Sequence, residues 1–120
     1  MNSSQYLKNK LDGRLDSDPD HGMAIDSMNS KEIIEIGLGS IGKIKIMRAL
    51  AEENKRFTIY ALHKKTRLKR EDIKRNLEDL KKIEWIKETK LVNLMYEINR
   101  QNRFVTELTT FFSSVGYLGE

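Results

Sequence analysis

Lys69, Arg70, Glu71, Lys74 and Arg75 fall within seven consecutive residues of the stretch FTIYALHKKTRLKREDIKRNLEDLKKIEWI, positions 57 to 86. A guanidinium presents a planar fork of donors that matches guanine O6 and N7, and a lysine ammonium suits a phosphate. Ile73, Leu77 and Leu80 recur at i, i+4 and i+7 through the same segment, which predicts a helix over about 70–82 with these charges turned away from its apolar stripe. At the start of a helix in a major groove, Arg70 and Arg75 reach base edges, whereas Lys69, Lys74 and the amides at helix starts suit phosphates. The same charges also serve as a solvated face, because Glu71 with Arg75 and Glu78 with Lys82 are i, i+4 pairs that need no ligand.

The distribution of charge favours the anion-binding reading. Residues 55–90 hold 13 Lys and Arg against 6 Asp and Glu, a net of +7, within a chain whose total is only +4. Residues 1–28 come to −2, residues 29–54 to zero and residues 91–120 to −1. An excess confined to one stretch is more than solubility requires and points to double-stranded nucleic acid as partner.

A second motif, GLGSIGK at residues 37–43, matches GxGxxG at Gly37, Gly39 and Gly42 and approaches a phosphate-binding GxxxxGK ending at Lys43. Ile44 stands where Ser or Thr would hold Mg²⁺, no acidic residue lies about 20 positions onward, and too few strands remain for a nucleotide-binding sheet. Small residues at the start of a helix account for it better. His21 and His63 lack a Cys or a spaced carboxylate that would make a metal site or a triad. The absence of cysteine excludes disulfides, thiolate metal sites and Cys nucleophiles. No enzyme, cofactor or metal is expected.

The elements that would position the basic cluster are legible in the periodicity. Residues 1–28, with the turn-forming SDPDHG around the single proline, are expected to be a flexible acidic arm, in which Tyr6, Leu7 and Leu11 offer one short amphipathic turn. KEIIEI (31–36) predicts a short helix capped by Ser30 with Glu32 in its first turn. Ile41, Ile44, Met47, Leu50 and Ala51 predict a helix over 41–53 with Ser40 as N-cap. Phe57 to Ile59 is a lead-in able to pair with a later hairpin, and Thr58, also a candidate DNA contact, caps a helix over 59–65 that turns Ile59, Ala61 and Leu62 inward. Residues 66–69 form the turn, with Leu68 filling the gap between its two helices.

EWIKET (84–89) and NLMYEIN (93–99) alternate as a β-hairpin, with Trp85, Leu94, Tyr96 and Ile98 on its buried face and Lys87 and Lys90 near its tip, within reach of a neighbouring backbone or minor groove. Finally, Phe104, Val105, Leu108, Phe111, Phe112 and Val115 line one side of a helix over 101–115. That stripe is broader than a small core needs, so it is expected to pack against a partner chain or the first helix, with Phe104, Leu108, Phe111, Phe112 and Val115 read as a dimer interface. No apolar run approaches the roughly 18 residues of a membrane span, and the N-terminus lacks a signal-peptide pattern, so a soluble, cytoplasmic protein is expected.

In this order the elements resemble the winged helix-turn-helix domains of archaeal and bacterial transcription regulators of the arsenical-repressor and MarR type. The resemblance covers roughly residues 38–100. It rests on LGSIGKIKIMRAL, on TIYALHKKTRLKREDIKRNLEDLKKIEWI as the two-helix unit, and on a hairpin ending in YEIN. It implies a mainly α fold with a small β-hairpin, a DNA-binding regulator of transcription acting as a homodimer, the second helix of the unit in the major groove, and the hairpin as wing. Arg67 stands where that family often has Gly, and Lys69 where it often has a capping Ser or Thr. The expected organisation is an arm at 1–28, a winged helix-turn-helix at 29–100 and a C-terminal dimerisation helix at 101–120. A winged helix that docks a protein through the C-terminal aromatic stripe is the alternative.

Overall fold

A computed structural model describes residues 27–119. The expected arm, its Tyr6, Leu7 and Leu11 turn, and His21 lie outside the described residues, apart from Ser27 and Met28, the latter packed against the core.

The first helix, α1 (Ser30–Gly37), starts one residue earlier in its capping than expected. Asn29, not Ser30, is the N-cap: its Oδ1 accepts from Glu32 N at 2.9 Å while Glu32 Oε1 accepts from Asn29 N at 3.3 Å. Such a reciprocal box needs an acceptor three residues before a Glu, a spacing that Asn29 has and Ser30 lacks. Helix α2 (Ile41–Glu52) begins at Ser40 as predicted, with Ser40 Oγ accepting from Lys43 N at 3.2 Å. Its buried face is wider than the sequence pattern suggested. Ile46 and Ala49 join Met47 and Leu50 inside, because α3, α4 and the hairpin all pack on α2, while Ile41 at the helix start protrudes, 66% exposed.

Helix α3 (Ile59–Thr66) is capped by Thr58, whose Oγ1 accepts from Ala61 N at 3.0 Å. It closes on Arg67 in the left-handed region (φ 66°, ψ 13°), which explains why Gly is favoured at this position. His63 braces the turn: its Nδ1 lies 2.8 Å from the Leu68 carbonyl, which can only accept, so the ring nitrogen donates. Helix α4 (Arg70–Lys82) buries Ile73, Leu77 and Leu80 as its spacing dictates. Its C-terminus is a Schellman turn, Trp85 N donating to Leu80 O and Glu84 N to Lys81 O, both at 3.0 Å, with Glu84 left-handed at φ 65°.

The hairpin pairs β1 (Ile86–Lys90) with β2 (Leu94–Ile98) in antiparallel register, Ile86 opposite Ile98, Glu88 opposite Tyr96 and Lys90 opposite Leu94. Phe57 adds a single bridge to Tyr96 through two 2.8 Å hydrogen bonds, so the lead-in does pair with the hairpin. Trp85, Tyr96 and Ile98 are buried as expected, but Leu94 is 41% exposed. It lies beyond the Phe57 bridge, where among the described residues no third strand covers the ladder.

Helix α5 (Arg103–Ser114) is capped by Asn102, whose Oδ1 accepts from the amides of Phe104 and Val105 at 2.8 and 3.2 Å. Val105 and Phe112 enter the same core as α2 to α4, which corrects the placing of Phe112 in an intersubunit stripe. The chain then returns to α2, where Tyr117 packs edge-on to Phe112 at 4.9 Å and beneath Arg48 at 4.6 Å. Among the described residues no helix is long and apolar enough to cross a membrane.

Candidate nucleic-acid interface

The basic cluster is built on the turn between α3 and α4. Leu68 is half-buried and packed against the core, and Arg67, the C-cap of α3, is left-handed three residues before α4 begins. Lys69 occupies the N-cap with extended geometry (φ −68°, ψ 146°) and makes no side-chain cap, so the first amides of α4 have no side-chain acceptor there. Lys69, Arg70, Glu71 and Lys74 are all exposed. Among the described residues no carboxylate lies within ion-pair distance of Lys69, Arg70, Lys74, Lys87 or Lys90. Lys87 and Lys90 lie exposed on β1, Lys90 on the last rung before the tip.

Two predicted pairings differ from those formed. Arg75 bonds to Asp72 rather than Glu71, and Glu78 binds Lys81 at 3.2 Å rather than Lys82. Both are i, i+3 pairs, which lie as close on a helix surface as i, i+4 ones. Arg75 is thus held by Asp72, whereas Arg70 has no carboxylate partner among the described residues. Thr58 is half-buried and engaged in capping the start of α3.

One residue at this surface was missed from the sequence. Tyr60, 56% exposed in the first turn of α3, has Arg70 over its ring at 5.4 Å and Lys64 at 5.8 Å. The cations are attracted to the negative ring face, which narrows the orientations of Arg70 before any ligand arrives. The i, i+4 spacing of Tyr60 and Lys64 was visible in the sequence; the approach of Arg70 depends on the turn between helices.

Farther along α4 the hairpin is locked in place. Lys81 Nζ bonds to Glu88 Oε1 at 3.1 Å, and Tyr96 Oη donates to Glu88 Oε2 at 2.8 Å. The Tyr96 hydroxyl and the Lys81 ammonium hold the Glu88 carboxyl below its ordinary range, and burial together with that carboxylate pushes the Tyr96 phenol up. The Lys81 pKa is raised, chiefly by its hydrogen bond to Glu88.

The glycine motif serves packing. A Cβ on Gly37 would stand 2.2 Å from the Trp85 ring, and one on Gly42 2.4 Å from Asn76 of α4. Lys43, 7% exposed, donates to Ile36 O at 2.8 Å and meets Asp79 Oδ2 at 2.8 Å. The lysine that would hold a phosphate instead joins the end of α1 to α4, a role its place in the motif did not reveal. Among the described residues no group of three or more His, Cys, Asp or Glu is gathered for a metal.

On another surface, α1 and α5 flank a groove of about 460 Å³ whose lining includes Ile34, Leu38, Trp85, Phe104, Leu108 and Phe111. Phe104 stacks on Trp85 at 6.3 Å and, like Leu108, is half-buried, whereas Phe111 and Val115 are 57% and 59% exposed.

With this geometry the chain is similar in fold to the crystal structure of NolR from Sinorhizobium fredii. The match has a TM-score of 0.61 over 86% of this chain and 100% of that chain, at 13% sequence identity. No family model and no curated sequence matches. The fold is a winged helix, with α3 and α4 as its helix-turn-helix and the β1–β2 hairpin as its wing.

Proposed function

We propose that this protein binds double-stranded DNA and regulates transcription as a cytoplasmic homodimer, with the first turns of α4 in the major groove. The observation that carries this reading is the pairing pattern: the cations at the start of α4 and on the wing lack carboxylate partners among the described residues, whereas those that brace the fold have them. Arg70, held over Tyr60, is the first choice for a guanine, and Glu71 for a cytosine amino group. Lys69, Lys74 and the wing lysines suit phosphates. The order of elements agrees with the arsenical-repressor and MarR type of regulator that the sequence resembles.

The test is binding to random duplex DNA across a salt series. Micromolar binding whose logarithm falls linearly with log salt is expected, and no binding at low salt sinks the reading. The dimer is supported by the exposed apolar side chains of α5 beside the groove, which would set two α4 helices roughly 34 Å apart on successive half-sites. Phe111→Asp is expected to sediment as a folded monomer where the wild type is a dimer; an unchanged dimer assigns the interface elsewhere. The same groove favours a second reading, a winged helix that docks another protein through α5, which stands if DNA binding fails and a partner is displaced by Phe111→Asp.

A further inference from the structure

The tip of the wing is apolar where a hairpin tip is ordinarily polar. Leu91 is 54%, Val92 93% and Leu94 41% exposed, and the loop is closed by Leu91 N donating to Asn93 O at 3.0 Å. Short loops between strands favour Gly, Asn, Asp and Ser for their backbone and hydrogen-bonding needs. Single apolar side chains scattered on a surface need no explanation, but three at one protruding point do.

The register shows which way this point faces. Phe57 bridges Tyr96 antiparallel, so the chain from Phe57 to Thr58 runs toward the tip and enters α3 from there. The first turn of α3 also carries Tyr60, whose ring holds Arg70 of α4. The wing tip, the start of α3 and Arg70 therefore lie toward one end of the sheet. Lys90 stands on the last rung beside the tip and Lys87 three residues back along β1, opposite Glu97, both without an ion-pair carboxylate among the described residues. An apolar point with an ammonium group beside it and a second one farther along the same strand complements a surface with a polyanionic rim and an uncharged floor.

We propose that Leu91 and Val92 form a wedge that enters the minor groove of duplex DNA and partly opens a base step, while Lys90 beside the tip and Lys87 farther along β1 hold backbone phosphates. The proposal rests on the DNA reading above and deepens it by naming what the wing recognises. Aliphatic side chains pressed into the minor groove unstack a step and kink the duplex by roughly 20–90°. The energy required is least at flexible pyrimidine–purine steps, so the wedge selects deformability rather than a base identity. A protein partner fits this feature less well: the tip is a convex hairpin end next to Lys90, whereas the groove beside α5 is concave and apolar.

The experiment uses the full chain with a short end-labelled duplex that carries one central TA step and a fluorescent purine analogue beside it. The wild type is expected to shorten the end-to-end distance and brighten the analogue. L91S/V92S removes the wedge at exposed positions, and its fold is checked by near-ultraviolet circular dichroism. It is expected to bind about tenfold more weakly, to lose both the bend and the brightening, and to keep the salt slope, since no charge has changed. K87A/K90A is expected to lower that slope by about two while the bend survives at saturation; an unchanged slope overturns the role given to the lysines. Wild-type binding with neither bend nor brightening, or a double serine variant that still bends DNA, overturns the wedge and leaves the DNA reading standing. Failure of the wild type to bind any duplex at low salt removes the DNA reading and the wedge with it. A double serine variant that bends DNA normally but loses self-association in sedimentation assigns the tip to a second copy of the chain.

Discussion

Helix α4 is lysine- and arginine-rich at both ends, and the two ends are built differently. At its start, Lys69, Arg70 and Lys74 have no carboxylate partner among the described residues, and Arg70 rests on an aromatic ring. Toward its end, Lys81 is shared between Glu78 and Glu88, and Asp79 is occupied by the buried Lys43. The same residue types thus make a surface in one place and a brace in the other. What separates them is the partner, which a count of charges along a sequence does not contain. Magnitudes point the same way: a guanidinium that reads a base is worth about 1–3 kcal/mol of discrimination, whereas an exposed ion pair is worth about 0.2–1 kcal/mol of stability.

The contrast predicts effects of graded size. Arg70→Ala is expected to weaken specific DNA binding by about 1–3 kcal/mol with melting unchanged, and Arg75→Ala by less, because Asp72 already holds that side chain. Equal losses for the two in a binding isotherm would break the distinction between free and partnered cations. Next in size, Asp79→Ala leaves the Lys43 ammonium with only the Ile36 carbonyl and is expected to lower unfolding free energy by about 1–2 kcal/mol in a denaturant titration, without changing the salt slope of DNA binding. A changed slope would move this end of the helix into the interface.

How much of this was legible beforehand follows from the range of each interaction. Ser40 and Thr58 were identifiable as caps because a cap is a local contact, and the stripe of Ile73, Leu77 and Leu80 fixed the length of α4. Asn29 and Ser30 are both good cap residues, and only the distance to Glu32 separates them. Phe111 and Phe112 were not separable, because adjacent residues within a broad stripe diverge by about 100° and only packing decides which one is inside. The Arg70 and Tyr60 contact and the burial of Lys43 join separate helices, and no period along the chain encodes them.

Two smaller effects sharpen the comparison at the bracing end. Glu84 sits left-handed at the close of α4, so Glu84→Gly is expected to raise stability by about 0.5 kcal/mol, roughly 1–2 kcal/mol of relieved strain less the added entropy of an unfolded glycine. A lower melting temperature would show that the Glu84 side chain supplies a contact outweighing that strain. Glu88→Gln bears on pH. Because the Glu88 carboxyl is held below its ordinary value of 4.5, its contribution is present above about pH 4.5 and fades as pH falls through the lower folded value. The difference between wild type and variant is therefore expected to be full at neutral pH and to close in acid; a constant difference across that window would detach Glu88 from Lys81 and Tyr96.

Trp85 is the single tryptophan of the chain, 1% exposed, with its indole N–H lacking a hydrogen-bond partner among the described residues. It closes the end of α4, packs against Gly37 of α1 and stacks on Phe104 of α5 at the floor of the groove. Its emission therefore belongs to one place and one event. A second chain or a peptide settling on Phe104 is expected to alter the light from Trp85, and a duplex engaging the far end of α4 to leave it largely unchanged. The molecule carries an unlabelled optical readout that tells traffic on one face from traffic on the other.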